Sequence, residues 1–342
     1  MRMRRRSFLR LAGIGAVTIA LGSFGALNFT SAPVRKIDFH AHAILPSYVE
    51  GLKKLDIDAQ SEEGFPLPKW TVDAHLKFMD EAGIDFTVLS MPTPHIYNSA
   101  VGEKAACEVA RKINNELYEL CRIYPDRFGF VAVLPLPGVE GSVEEIRYTM
   151  STLGALGVKV ASNSDGVYLG DERLDPVFKE LNARRALVIM HPSPAPALPR
   201  IDVVTGKDMD LFEYPADTTR AVLNLLANKT LEKYSEIKFI VPHCGSFLPY
   251  MKQRAITMMS PIDIETGLKK MYFDLAGDPV PHQLDMLLKI ADENHLVYGS
   301  DFPYNSAQIL LDKKKALDEA LNERGLYKKV YGENAEKLLG IV

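Results

Sequence analysis

Cysteine is scarce: Cys107, Cys121 and Cys244 are the only three in 342 residues. An odd number at no metal-ligand spacing excludes a disulfide framework and a cysteine-built zinc module. Basic excess is missing as well. With 40 Lys and Arg against 44 Asp and Glu the formal net charge is −4, which leaves no footprint for nucleic acid. No G-x-G-x-x-G follows an early apolar run, so nothing marks a dinucleotide site. After residue 33 there is no internal repeat, no low-complexity tract and no linker long enough to divide the chain into separate domains. What is there, 47% hydrophobic and 25% charged residues with 23 Gly and 21 Pro, rules out disorder, collagen and coiled coil.

The one long uncharged run is N-terminal. Arg2, Arg4, Arg5, Arg6 and Arg10 precede Leu11–Phe29, an apolar stretch rich in Gly and Ala. A charged head followed by an apolar stretch is the layout of an export signal. The run Arg5-Arg6-Ser7-Phe8-Leu9-Arg10 resembles the twin-arginine export motif. That resemblance implies passage of folded protein through the twin-arginine export machinery to the periplasm or beyond. A membrane-spanning helix is the rival, since nineteen residues just reach the needed length, but four glycines in the run weaken it. Neither Ala20-Leu21-Gly22 nor Ser23-Phe24-Gly25 is a clean Ala-x-Ala, so an uncleaved anchor stays open. Residues 1–32 are set aside as an address, and 33–342 are read as one domain.

Within that domain short apolar runs alternate with helical stretches. Expected strands are Lys36–Phe39, Phe86–Ser90, Phe128–Val133, Gly157–Ala161, Leu187–Met190, Lys238–Val241, Met271–Asp274 and Leu296–Tyr298. Amphipathic segments lie between them at 71–82, 101–123, 142–153, 174–184, 216–234, 246–258 and 281–292. In 101–123, Ala105, Val109, Ile113, Leu117 and Leu120 recur at three- and four-residue steps, one face of a helix. Gly83 closes one helix and Pro176 sits in the first turn of another. Strand–helix alternation implies a parallel sheet, and eight units favour an α/β class (β/α)₈ TIM barrel over an open doubly wound sheet. Leu45–Lys69 and the Pro-rich Pro192–Tyr214 read as long loops at C-terminal strand ends, where barrels shape their pockets.

Polar residues of one kind stand where the apolar strands stop. The first ends Ile37-Asp38-Phe39-His40-Ala41-His42, and residues two apart on a strand share a side. The fifth ends in His191, the sixth runs into Pro242-His243-Cys244-Gly245, and the eighth into Gly299-Ser300-Asp301. A barrel rings these ends around one mouth. Three imidazoles and a carboxylate there make a divalent-metal shell, and a fourth imidazole is left for acid–base work. A lone strand-end histidine is more often structural. Only eight histidines exist, however, and four fall at three strand ends.

At these residues the chain resembles the amidohydrolase superfamily, in the mononuclear branch that holds aminocarboxymuconate semialdehyde and 6-methylsalicylate decarboxylases. The resemblance runs through IDFHAH, HLKFMDEAGID, LDPVFKELNARRALVIMHP, YPADTTRAVLNLLANKTLEKYSEIKFIVPHCG and LVYGSDFPY. It implies a barrel of the metal-dependent hydrolase type, with His40, His42, His191 and Asp301 as ligands to one metal, zinc or else manganese. His243 would be the catalytic histidine, and either His243 or Asp301 would deliver a proton. Binuclear members bridge their metals with a lysine at the end of the fourth strand; Lys159 lies mid-strand and reads as structural. His75 stands where the semialdehyde enzyme has a substrate-binding arginine, either lining the pocket or facing solvent. Arg254 matches an arginine that enters a neighbouring subunit's site, so a substrate carboxylate held across a homodimer is expected. Ser246 replaces a usual glycine at a helix start, where serine caps well.

The implied reaction is non-oxidative decarboxylation of an aromatic or unsaturated carboxylic acid, with Phe65, Trp70, Tyr97, Phe212, Tyr214 and Phe302 available to sandwich a flat ring. The rival is hydrolysis of a lactone, ester or amide by the same shell, with Asp301 as base. A non-catalytic binding protein on the same scaffold would tolerate lost ligands, and none is lost.

Overall fold

The computed structural model describes residues 35–60, 65–196 and 209–340. The expected export segment, 1–32, lies outside the described residues, as does most of the Pro-rich stretch. Eight strands form one sheet: β1 Ile37–His42, β2 Phe86–Ser90, β3 Phe128–Val133, β4 Gly157–Ala161, β5 Leu187–His191, β6 Lys238–Val241, β7 Tyr272–Asp274 and β8 Leu296–Val297. All neighbours pair in parallel and in chain order. Bridges from Asp38 to Tyr298 and from Ala41 to Phe302 close the ring, with Phe39 N to Tyr298 O at 3.0 Å and His42 N to Phe302 O at 2.8 Å. This is the expected (β/α)₈ barrel.

The strands are buried on both faces, which is why they read as apolar runs rather than as an alternation. Ile37, Phe39, Phe86, Val88, Val131, Leu187, Ile189, Ile240, Tyr272 and Val297, from seven strands, pack on one another as the barrel's inner core. β1 contains a bulge the sequence did not announce. Asp38 pairs with Thr87 but Ala41 with Leu89, so three steps on β1 match two on β2. Below the bulge Ile37 and Phe39 join the inner core; beyond it the alternation is offset by one and His40 and His42 turn toward the mouth.

Helices cover the outside: α1 Pro46–Lys54, α2 Val72–Ala82, α3 Glu103–Ile123, α4 Val139–Tyr148, α5 Asp175–Ala183, α6 Tyr214–Ala227, α7 Leu248–Met258, α8 Ile264–Lys270, α9 Leu284–Leu287, α10 Ala307–Glu323 and α11 Asn334–Leu339. Gly83 caps α2 in the left-handed conformation (φ 64°) and Pro176 sits in the first turn of α5, as expected. Three expectations are corrected. Leu45–Lys69 is not all loop: α1 lies in it, too short for a visible period, holding itself down by Tyr48 and Leu52. On α3 the expected Val109, Ile113, Leu117 and Leu120 are buried, but Ala106 rather than the half-buried Ala105 opens the face, and Asn114 is inside as well, bonded to both the N–H and C=O of Val133. The stretch 281–292 is α-helical only over α9, since Pro279 and Pro281 deny its start the backbone donors.

Candidate active site

Four strand ends bring the ligand candidates together. The imidazole nitrogens of His40, His42 and His191 and a carboxylate oxygen of Asp301 all lie within 4.8 Å of one another. His42 Nε2 is 3.2 Å and His40 Nε2 3.4 Å from Asp301 Oδ1. His243 Nε2 stands 3.8 Å from Asp301 Oδ2, and its ring is 4.9 Å from that of His40. Backbone conformation aims these groups at cost. Asp301 (φ 60°) and the consecutive His243, Cys244 and Ser246 (φ 54°, 54° and 56°, with Gly245 at 75°) all sit in the left-handed region. Non-glycine residues hold it at about 1–3 kcal/mol each, and such strain persists where a site over-determines it.

The second layer sets the tautomers. His40 Nδ1 faces Asp274 Oδ2 at 2.8 Å, His42 Nδ1 faces the Met91 carbonyl at 3.2 Å, and His191 Nδ1 faces the Pro192 carbonyl at 3.1 Å. Carboxylate and carbonyl oxygens only accept, so each Nδ1 carries a hydrogen, and in the neutral ring Nε2 then keeps the lone pair a metal takes. His40 Nε2 is buried without a hydrogen-bond partner. Three lone pairs and a carboxylate converging on one point, one of them orphaned in the interior, suit one divalent metal ion. His191 is steadied from behind. The fully buried Asp217 accepts from Asn163 Nδ2 (2.9 Å), Tyr168 OH (2.5 Å), Arg220 Nη1 (2.6 Å) and Ser162 Oγ, and Ser162 Oγ accepts from Ser193 N just beyond β5.

Electrostatics follow from burial. Desolvation pushes the Asp38 carboxyl up to about 7, the His42 imidazole down to about 4, and the His191 imidazole well below its usual range. Burial alone would lower His40 too, but the Asp274 carboxylate in contact with it lifts it to about 9. Asp301 goes the other way: burial would raise it, yet the His243, His42 and His40 imidazoles around it hold it well below the carboxylate range.

The other named residues land elsewhere. His75 is fully buried but outside the cluster. Its Nδ1 accepts from Trp70 Nε1 at 3.0 Å, and its ring packs on Phe302 (4.9 Å) and Phe128 (5.3 Å). Facing solvent is thus excluded for it. Arg254 is exposed on α7 and, among the described residues, makes no ion pair. Tyr250 (80% exposed) and Met258 (71%) lie four residues to either side of it. The expected Ser246 cap is absent: Phe247 is the N-cap of α7, no side chain caps it, and Ser246 Oγ is buried without a partner. Lys159 is buried and donates to the carbonyls of Met91 (2.6 Å) and Pro92 (3.0 Å), a structural use. Of the loop aromatics, Phe302 is stacked on Phe78 (4.6 Å, 9°), whereas Phe65 approaches Tyr304, whose ring is 5.3 Å from that of His42.

Three groups were missed. Asp274 ends β7 just as the ligands end their strands, so the same strand-end signal could have found it. His95, in the loop after β2, has a buried Nε2 without a partner; Tyr304 follows Asp301 by three. Only the fold brings either near the cluster.

A parallel barrel with a His₃Asp cluster at its strand ends defines a metal-site barrel enzyme. The amidohydrolase family profile matches residues 37–341, and the chain belongs to that family. It is 33% identical to decarboxylase yanB of Aspergillus niger, over 79% of this chain and 77% of that one. It is 30% identical to the 6-methylsalicylic acid decarboxylase of Penicillium expansum, over 78% of this chain and 85% of that one. In fold it is similar to a 5-carboxyvanillate decarboxylase from Novosphingobium aromaticivorans crystallised with manganese. There the TM-score is 0.77 at 22% identity, over 90% of this chain and 96% of that one.

Proposed function

We propose that this protein is a metal-dependent, non-oxidative decarboxylase of an aromatic carboxylic acid resembling 6-methylsalicylate. The observation that carries the reading is the cluster of three Nε2 lone pairs and Asp301 with His243 beside it. The similarity to named decarboxylases supports the reaction class. His40, His42, His191 and Asp301 would hold one ion, zinc or manganese, which this donor set accommodates alike. When bound, the ion supplies positive charge that draws an anionic substrate and stabilises charge on its oxygens.

The chain's own groups do the rest. His243 and Asp301 form a pair that can share one proton. The His243 side chain, 22% exposed, can reload that pair from water, whereas Asp301 is held ionised. The pair passes its proton to the ring carbon that bears the carboxylate. The bond from that carbon to the carboxylate breaks, its electron pair stays on the ring, and CO₂ leaves. Charges balance, since a carboxylate plus a proton becomes the arene plus CO₂.

The test is metal analysis of purified protein together with assay of hydroxybenzoates for CO₂. One zinc or manganese per chain and CO₂ release support the reading; release of an acid from an ester or lactone without CO₂ overturns it. On sequence grounds we also propose export through residues 1–32, which fractionation of cells expressing the full chain checks. A homodimer in which Arg254 reaches the partner's substrate is proposed from the resemblance and from the exposed Tyr250–Arg254–Met258 stripe. Sedimentation of the chain as a monomer, or full activity of Arg254→Ala, would overturn it.

A further inference from the structure

We infer that Asp274 is a positioning residue with two clients, holding the metal-ligand histidine His40 and the catalytic histidine His243 in register through one carboxylate. The inference rests on the metal-site reading above and concerns how that site is held. Asp274 is fully buried at the end of β7 and uses both oxygens as acceptors. Oδ2 takes His40 Nδ1 at 2.8 Å; Oδ1 takes the backbone N–H of His243 at 2.9 Å and of Ala276 at 3.1 Å. The first bond turns the Nε2 lone pair of His40 toward the cluster, where no protein donor meets it. The second anchors the first residue of the left-handed turn that carries His243 (φ 54°). Asp301 also approaches both histidines, but at their Nε2 atoms on the cluster side; Asp274 holds them from behind, at His40 Nδ1 and the His243 backbone. Ligand and acid–base group, 203 residues apart in the chain, therefore take their positions from the same three atoms.

The chemistry of an amide makes this testable. Asp274→Asn keeps the shape but replaces one acceptor oxygen by a donor NH₂. If the NH₂ faces His40, Nδ1 must accept, Nε2 takes the hydrogen, and an N–H points where a ligand lone pair is needed. If it faces the turn, donors meet donors and the His243 backbone loses its anchor. Either orientation leaves one client unserved.

The experiment compares wild type, Asp274→Asn and, as a buried-carboxylate control outside the site, Glu145→Gln, whose carboxylate bonds Asn114 and Arg111. Zinc and manganese affinity are measured by competition with a chelating dye, apo-protein stability by urea melts, and kcat at saturating metal. The expected result for Asp274→Asn is metal binding weaker by about 10–100-fold. Its kcat should stay at least about tenfold low when metal saturates, with KM little changed. Glu145→Gln should lose stability with metal affinity kept. Unchanged affinity in Asp274→Asn, or full kcat once metal saturates, overturns the inference. Nitrogen NMR of ¹⁵N-histidine-labelled zinc-loaded wild type keeps the test independent of the variant's folding: a His40 coordinated through Nε2 with Nδ1 protonated supports it, and one coordinated through Nδ1 overturns it. Failure of the functional reading looks different, because then wild type itself takes up no metal or releases no CO₂.

Discussion

At the residue scale the proposed function separates ligands from catalyst, and substitution should separate them too. His191 supplies a lone pair that nothing else can replace, so His191→Ala should abolish both metal retention and turnover. His243 is outside the four-atom cluster, so His243→Ala should keep its metal and lose about 10²–10⁴-fold in kcat. Metal content and kcat measured on the same two samples check this; loss of metal from His243→Ala would reverse the assignment. Gly299 shows the same precision from the packing side. A Cβ there would stand 2.6 Å from His40 Cβ and 3.3 Å from Asp274 Cβ. Gly299→Ala should therefore cost about 1–3 kcal/mol and displace a ligand, read as a lower urea midpoint together with weaker metal binding. A variant with wild-type metal affinity would show that β8 can shift without moving His40.

At the element scale the turn between β6 and α7 stores the strain. Four successive residues from His243 to Ser246 have positive φ, and only one of them is glycine. Ser246 (ψ −125°) lies where glycine is far better suited, and its hydroxyl is buried unpaired. Ser246→Gly should thus stabilise the protein by about 0.5–1 kcal/mol, strain relief exceeding the added chain entropy. Paired urea melts check it, and a drop in stability would mean that the hydroxyl has a partner. Strand positions were legible because a parallel barrel buries both faces and leaves nearly continuous apolar runs. The β1 bulge was not, because it changes pairing with β2 rather than composition. α1 was hidden for the opposite reason: nine residues are too few to display a period, and Tyr48 and Leu52 fix it only by contact.

For the whole molecule, buried neutral imidazoles predict acid sensitivity. Burial lowers His75 to about 3 in the folded chain against 6.5 as its ordinary value. Between those limits the unfolded chain binds a proton that the folded one refuses, so stability is full above about 6.5 and falls as pH drops toward 3. The slope is at most about 1.4 kcal/mol per pH unit for one such group. Urea melts of apo protein at pH 7 and pH 5 should differ more for wild type than for His75→Phe; equal differences would mean that His75 is protonated when folded. Metal-free protein is the right sample, since proton competition at the ligands would otherwise steepen the same limb.

What the sequence determined by itself was what local chemistry can encode. It determined eight apolar runs of strand length, a helix stop at Gly83 and a helix start at Pro176, and the histidines and aspartate placed where those runs end. The tertiary structure decided everything that depends on who faces whom. It buried His75 under Phe302 and left Arg254 in solvent, because a helix's inner face is chosen by its neighbours and not by its own letters. It gave Asp274 two partners from other strands, since only ring closure brings the ends of β1, β6 and β7 within hydrogen-bond reach.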